Sequence, residues 1–435
     1  MKKKKKKFTE ELNLLQTNIN IYNKKIKYDN FTDDLTYNNI NSNSWFDITK
    51  AKYKTCAKFT YNNTDEKIDK IVKCKQIKLL PSYEQKDKLL LWLEYVRKIY
   101  NDTISMIKQL KKENNKKYIN WQYIRTHKLK DIKQTYINKS NIQSHTLDKA
   151  IKLACCSYKS AITNLKNKNI KHFNIRYIKA TKKIKVLELE KTCFSLEGFC
   201  IRQLGKIMKN ADNYSYKNIK CDSKLIYKAI TDDFYLLVSY YEKTKQLDHS
   251  NKIISIDPGQ KIFLTGVTQN RVYKIGSNLT DNIQDKLERI DHLNSINNKK
   301  TRRLVNIIYR KIKNQITDLH WKSINYILTD INIGCIIVGN WSTKDSISKT
   351  NYLKAINKRI INSISYYRFL QRLQFKCMEY NLPLLITEEA YTSKVCCKCG
   401  SLETKCTNRT INCKNCSNII NRDINGAVNI LFKNL

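Results

Sequence analysis

Cys396-x-x-Cys399 and Cys413-x-x-Cys416 form two knuckles separated by 13 residues. Each C-x-x-C can turn two thiolates to one side of a tight turn, and two such pairs complete a tetrahedral Zn2+ site. All six histidines lie far away in the chain, so four thiolates are expected around a structural ion with no position left for water. Cys397 and Cys406 fall off the paired spacing and are left out of the set. Carboxylates mark three other places. Asp257 ends the apolar run of "IISIDPGQKIFLTG", Glu388 and Glu389 end "LPLLITEE" just ahead of the first knuckle, and Asp423 opens "RDINGAVNIL". Taken singly, each has a plain structural reading. Asp before Pro-Gly forms turns, an acid at a helix start suits the macrodipole, and paired glutamates fit a solvated strand end as well as a catalytic ligand.

The rest of the composition points to a polyanionic partner. With 82 Lys and Arg against 38 Asp and Glu, the net charge is +44. Such a surplus repels itself in a compact state unless a polyanion neutralises it, and nucleic acid is the matching partner. An AT-rich gene would also raise Lys and Asn, but it would not spare acidic residues so heavily. Fifteen cysteines, an odd number scattered apart from one cluster, indicate a reducing compartment rather than a disulfide framework. No apolar run approaches the roughly 20 residues that span a bilayer. The opening "MKKKKKKFTEELNLL" has the basic start of a signal peptide without its apolar segment. A nuclear-localisation signal, a phosphate-binding tail and a solvated end fit it equally.

The elements that must position these residues change character along the chain. Residues 1–68 are polar and weakly periodic, and are expected to be a flexible basic region. A strand with Ile71, Cys74 and Ile77 follows within 69–82. Ser82 and Gln85 then fit a capping box. Leu89, Trp92, Val96, Tyr100, Thr103, Ile107 and Leu110 recur at helical spacing, as a packed core stripe would, and helical patterns continue through 83–175. From 176 to 247 the period is strand-like, as in a small β-barrel or sheet domain. Strand and helix patterns then alternate over 248–390, the signature of an α/β domain. The cysteine ribbon occupies 391–420, and a last helix 421–435.

Read together, an Asp at a strand end, a four-cysteine ribbon preceded by "YTSK" and then "RDINGAVNI" resemble the RuvC-like nuclease region of TnpB-type transposon-encoded proteins. "IKLLPSYEQKDKLLLWLEYVRKIYN", "IRQLGKI" and "DLHWKSINYIL" are similar to further blocks of that family, in the same order. The resemblance covers roughly residues 70–435. It implies a RuvC domain of RNase H type with an inserted zinc ribbon, a helical recognition domain and a β-barrel wedge domain. In that family three carboxylates hold two Mg2+ ions, which activate water and stabilise the leaving oxygen of a phosphodiester; carboxylate oxygens suit so hard an ion.

Two of those acids map onto Asp257 and Asp423. The third should end the second strand of the nuclease domain, where "CIIVGNWS" offers Gly339 instead. In the eukaryotic and viral Fanzor branch the glutamate has moved to the strand before "YTSK", which here supplies Glu388 and Glu389. Consecutive strand residues face opposite ways, so only one can serve; Glu389 is the choice and Glu388 the alternative. The resemblance therefore implies an RNA-guided, Mg2+-dependent DNA endonuclease of a mobile element, with a guide RNA and target DNA as partners. Its place would be the nucleus or cytoplasm of a host or virus-infected cell. A catalytically inactive nucleic-acid-binding protein, motivated by Gly339, and a strand-joining transposase are the alternatives.

Overall fold

The computed structural model describes residues 69–205, 209–211, 213–219, 221–245, 252–348 and 352–434, with strand 48–52 and residues 12, 15 and 16. Most of the expected flexible region 1–68 therefore lies outside the described residues. Its Ile48–Lys52 segment is a strand. The chain divides into two compact units, Lys70–Glu242 and a second formed by Met1–Asp69 with Lys243–Leu435.

The carboxylates and the ribbon belong to the second unit. Its centre is a six-stranded sheet in the order β1-β4-β3-β2-β5-β6, where β1 is Ile48–Lys52, β2 Ile253–Pro258, β3 Leu264–Val267, β4 Arg271–Ile275, β5 Cys335–Gly339 and β6 Leu384–Thr387. β1, β4, β3 and β2 pair antiparallel, whereas β5 runs parallel to both β2 and β6. Val338 lies opposite Ile256, and Gly339 opposite Thr387. The last residues of the three parallel strands thus reach one end of the sheet, where open α/β sheets commonly place their sites.

Alternation along these strands builds two cores. Ile254, Ile256, Ile336 and Val338 face one way, into a cluster with helices α1 (Leu279–Ile296), α2 (Lys299–Asn325), α3 (Ala355–Ile364) and α4 (Tyr366–Glu379). Ile253, Cys335 and Ile337 face the other way, against α5 (Arg422–Phe432) and ribbon residues Val395, Cys397 and Ile411. Period two puts Asp257 and Gly339 on this second face, toward α5. The long basic block divides into α1 and α2 at Asn297, which takes a left-handed φ of 48° before Asn298 caps α2. What reads in sequence as one helix around 356–381 is likewise two, broken at Ser365 with φ 53°. No helix among the described residues is long and apolar enough to cross a membrane.

The first unit packs helices on a sheet of five strands, in the order Ile184–Leu189, Ser223–Lys228, Asp233–Lys243, Lys70–Leu80 and Lys209–Asn210. No pairing that would close it into a barrel occurs among the described residues. Helix Tyr83–Lys112 starts at a complete capping box between Ser82 and Gln85. Its stripe from Leu89 to Leu110 is buried apart from the half-buried Val96, and the Trp92 indole N–H donates to the Ser140 carbonyl at 3.0 Å. Cys74 departs from the expected pattern. It is exposed, because a strand buries alternate positions and Ile71 and Ile77 leave Cys74 on the opposite phase.

Candidate functional site

The ribbon is built from tight turns. Gly400, with φ 72°, closes the first knuckle, where a left-handed residue is required. Strands Thr404–Thr407 and Thr410–Cys413 form a hairpin whose two loop residues, Asn408 and Arg409, both have positive φ, 48° and 65°. Two-residue loops of that kind match the right-handed twist of a hairpin. Cys396 Sγ lies 3.7 Å from Cys416 Sγ, and Cys399 Sγ 3.5 Å from Cys413 Sγ. The four sulfurs all lie within 4.8 Å of one another, so the four residues could hold one ion with every coordination position filled by protein. The Asn415 and Asn418 amides point at Cys399 and Cys396 from 3.8 and 3.9 Å, as donors to thiolate sulfur would. Cys397 is packed into the core and Cys406 is exposed.

Helix α5 ties the ribbon to the sheet. Asn425 and Asn429, both fully buried and one turn apart, each donate to the carbonyls of Thr392 and Val395 at 2.8–3.2 Å. Asn425 Oδ1 also accepts the Cys397 backbone N–H at 2.9 Å. On the sheet side, the Ser255 hydroxyl donates to the Ala427 carbonyl at 2.7 Å. These contacts explain the asparagines of "RDINGAVNI", which carry no chemistry of their own.

The carboxylates gather between α5 and the parallel strand ends. Asp423 sits in the first turn of α5, after Asn421, whose side chain accepts from the Asp423 N–H. Asp257 approaches the same helix at Gly426: a Cβ there would stand 2.7 Å from Asp257 Oδ2. Only glycine allows so close an approach. Glu388 and Glu389 lie just past the end of β6 at Thr387, so strand alternation does not govern them. The turn does. Glu388 is exposed, with its carbonyl accepting from Lys433 Nζ at 2.9 Å, and Glu389 turns inward. A Cβ at position 339 would meet Glu389 Oε1 at 2.3 Å and Cγ at 2.8 Å. The Glu389 side chain therefore fills the space that a side chain on residue 339 would take.

The electrostatics follow from this crowding. Burial, then the charges of Glu389 and Asp423, push the Asp257 carboxyl well above its ordinary range. Burial pushes Glu389 up to about 7. Glu389 Oε1 is buried with no hydrogen-bond partner. Tyr366, whose hydroxyl donates to the Gly339 carbonyl at 2.6 Å, is pushed upward by burial and then by the same two acids. Arg409, at the tip of the ribbon hairpin, makes an ion pair with Asp423. Three carboxyl groups brought together, with one buried oxygen orphaned, are chemistry that a hard divalent cation fits. Among the described residues the four cysteines are the one such group gathered within 4.8 Å, so the carboxylates spread wider than the ligands of one compact ion.

Sequence reasoning does not single out Arg409, Gly426 or Tyr366. Gly426 lies inside "RDINGAVNI", and its lack of a side chain beside an acid-bearing helix start is a usable signal. Arg409 and Tyr366 give none, because tertiary contact alone brings them to the acids.

Residues 366–430 match the Cas12f1-like TNB domain family. They run from α4 through the ribbon into α5. A TnpB-like protein of Acanthamoeba polyphaga mimivirus is 29% identical over 385 residues, covering 83% of this chain and 73% of that one. The chain is similar to TnpB-like proteins over most of its length. A putative transposase of Paramecium bursaria Chlorella virus 1 is 26% identical over 390 residues, covering 84% of this chain and 87% of its own. Among solved structures, a Cas12f1-sgRNA-target DNA complex aligns over 83% of this chain and 98% of that one, with a TM-score of 0.46 and 12% identity. The TnpB-like relatives share most of the chain, whereas the TNB match is confined to the ribbon and the helices on either side of it.

Proposed function

We propose that this TnpB-like chain is an RNA-guided, Mg2+-dependent DNA endonuclease of a mobile element, with its site at Asp257, Glu389 and Asp423. The observation that carries the reading is the exchange at 339. The parallel strand that should end in an acid ends in glycine, and the Glu389 carboxylate stands in the vacated space. This supports a relocated ligand over a lost one, and so favours an active enzyme over an inactive binding protein. The upward shift of Asp257 and Glu389 also supports it, since burial and, at Asp257, the neighbouring acids outweigh the arginine charge near the cluster.

Two Mg2+ ions held by these carboxylates would supply an activated water and neutralise the leaving oxygen. The chain's own residues do the positioning. Gly426 and Gly339 let Asp257 and Glu389 approach, Tyr366 fixes the Gly339 carbonyl, and the Asn425–Asn429 pair anchors the helix that carries Asp423. Cys396, Cys399, Cys413 and Cys416 hold a structural Zn2+ in this reading. The net charge of +44 serves the phosphates of guide RNA and target DNA. Base pairing supplies sequence choice in such systems. Work on DNA places the protein in the nucleus or cytoplasm of a host or virus-infected cell.

The test is to purify the chain with its co-expressed RNA and supply a matched target. Mg2+-dependent cuts that vanish in Asp257→Ala are expected. Cuts that persist in Asp257→Ala would overturn the assignment.

A further inference from the structure

The ribbon reaches into the carboxylate cluster through one side chain. Arg409 occupies the second loop position of the hairpin Thr404–Thr407/Thr410–Cys413, with φ 65°, and its carbonyl accepts the Arg422 N–H at 2.7 Å. Tip and helix start are thereby locked side by side. From there its guanidinium pairs with Asp423 Oδ2, the Arg409 side chain a third exposed and the Asp423 side chain 12% exposed. Its charge is felt at Asp257 as well. Two features make this more than a surface ion pair. The turn holds Arg409 in a backbone conformation that most residues avoid, and the partner is one of three acids assigned to cation binding.

We infer that Arg409 is a positioning residue carried by the ribbon, a built-in counter-ion that holds Asp423 in place and sets how tightly the carboxylate cluster takes up divalent cations. The inference rests on the proposed nuclease site. A guanidinium beside Asp423 stabilises the acids while no divalent ion is bound, and it must yield an oxygen when one enters. A fixed positive charge also repels the incoming cation. Binding is therefore weaker, and more selective for an ion that can displace the guanidinium, than three unshielded carboxylates would give. The ribbon thus does more than brace α5: it delivers the charge that poises the site.

Mn2+ uptake by the full-length, zinc-loaded protein tests this without reference to cutting. Free Mn2+ would be titrated by electron paramagnetic resonance at pH 8 in wild type, Arg409→Gln and Arg409→Lys, with Asp257→Asn marking the signal that belongs to the carboxylates. Arg409→Gln is expected to bind about tenfold more tightly than wild type, the size of a one-unit shift beside an opposite charge. Arg409→Lys, which keeps the charge, should stay within about twofold of wild type on the same scale. Equal or weaker binding in Arg409→Gln overturns the inference and leaves the nuclease reading standing. If wild type shows no Mn2+ binding that Asp257→Asn removes, both fall together.

Discussion

The thiolate cluster and the carboxylate cluster sit in one unit, yet they are built in opposite ways. Four sulfurs come from a span of 21 residues, Cys396 to Cys416, and close on one another within 4.8 Å. The acids come from residues 257, 389 and 423 and spread more widely in both sequence and space. The first arrangement is complete without anything beyond an ion, as a structural site is. The second depends on a sheet, a helix and two glycines to bring its members together, and the charges of Glu389 and Asp423 disfavour the charge on Asp257. Local turns are enough for a structural site, whereas the carboxylate one takes most of the domain to assemble.

If that contrast holds, breaking the closed cluster should have the larger effect on structure. Cys413→Ser should lose its bound zinc and, with it, the ribbon fold. Asn425 and Asn429 would then lose their carbonyl partners at Thr392 and Val395, and α5 its anchorage. Cutting should fall by more than about 100-fold, the upper range for losing a partner one shell outside a metal site. Zinc content and target cleavage measured on the same preparation check this. Full zinc occupancy in the variant would contradict it.

Gly339→Ala sharpens the comparison from the carboxylate side. Its Cβ would sit 2.3 Å from Glu389 Oε1. Overpacking of this kind costs about 1–3 kcal/mol, read as a lower melting temperature. The cost should disappear when Glu389→Ala is made in the same chain, because the two changes share one contact and cannot be additive. Equal melting shifts in both backgrounds would mean that Glu389 does not occupy that space.

The smallest expected effect is on pH dependence. Glu389, raised to about 7, and Asp257, also raised well above its ordinary range, keep protons in the folded protein that the unfolded chain releases near the ordinary carboxyl range. The stability they contribute is full below that range and is lost as pH rises through about 7 for Glu389. Before Mg2+ is added, the melting temperature should therefore decline between about pH 5 and pH 8. Mg2+ should reverse the decline, and Glu389→Gln should flatten it. A melting temperature independent of pH in wild type would remove this account of the cluster.

The same contrast governs how much of the molecule is legible in its amino-acid sequence. The cysteine knuckles are short-range geometry, so spacing alone carries them. The capping box at Ser82 and the stripe from Leu89 to Leu110 are legible for the same reason. The helix break at Ser365 is not, since serine does not announce a left-handed backbone by type, and at Asn297 the favourable residue type is diluted by the many asparagines of the chain. At Cys74 an apolar composition masks the alternation and hides the strand phase. Among the carboxylates, resemblance rather than pattern singles out the acids. Alternation is the wrong guide to Glu388 and Glu389, because β6 stops at Thr387 and the following turn sets their directions. Arg409 and Tyr366 need the fold itself.

The central claim is that Glu389, not Glu388, takes the role that residue 339 gave up. The direct measurement compares single-turnover target cleavage by Glu389→Gln and Glu388→Gln, each purified with the co-expressed RNA. Glu389→Gln should lose at least about 100-fold, more than an outer-shell loss would cause, while Glu388→Gln cuts like wild type. Undiminished cutting by Glu389→Gln would contradict the account.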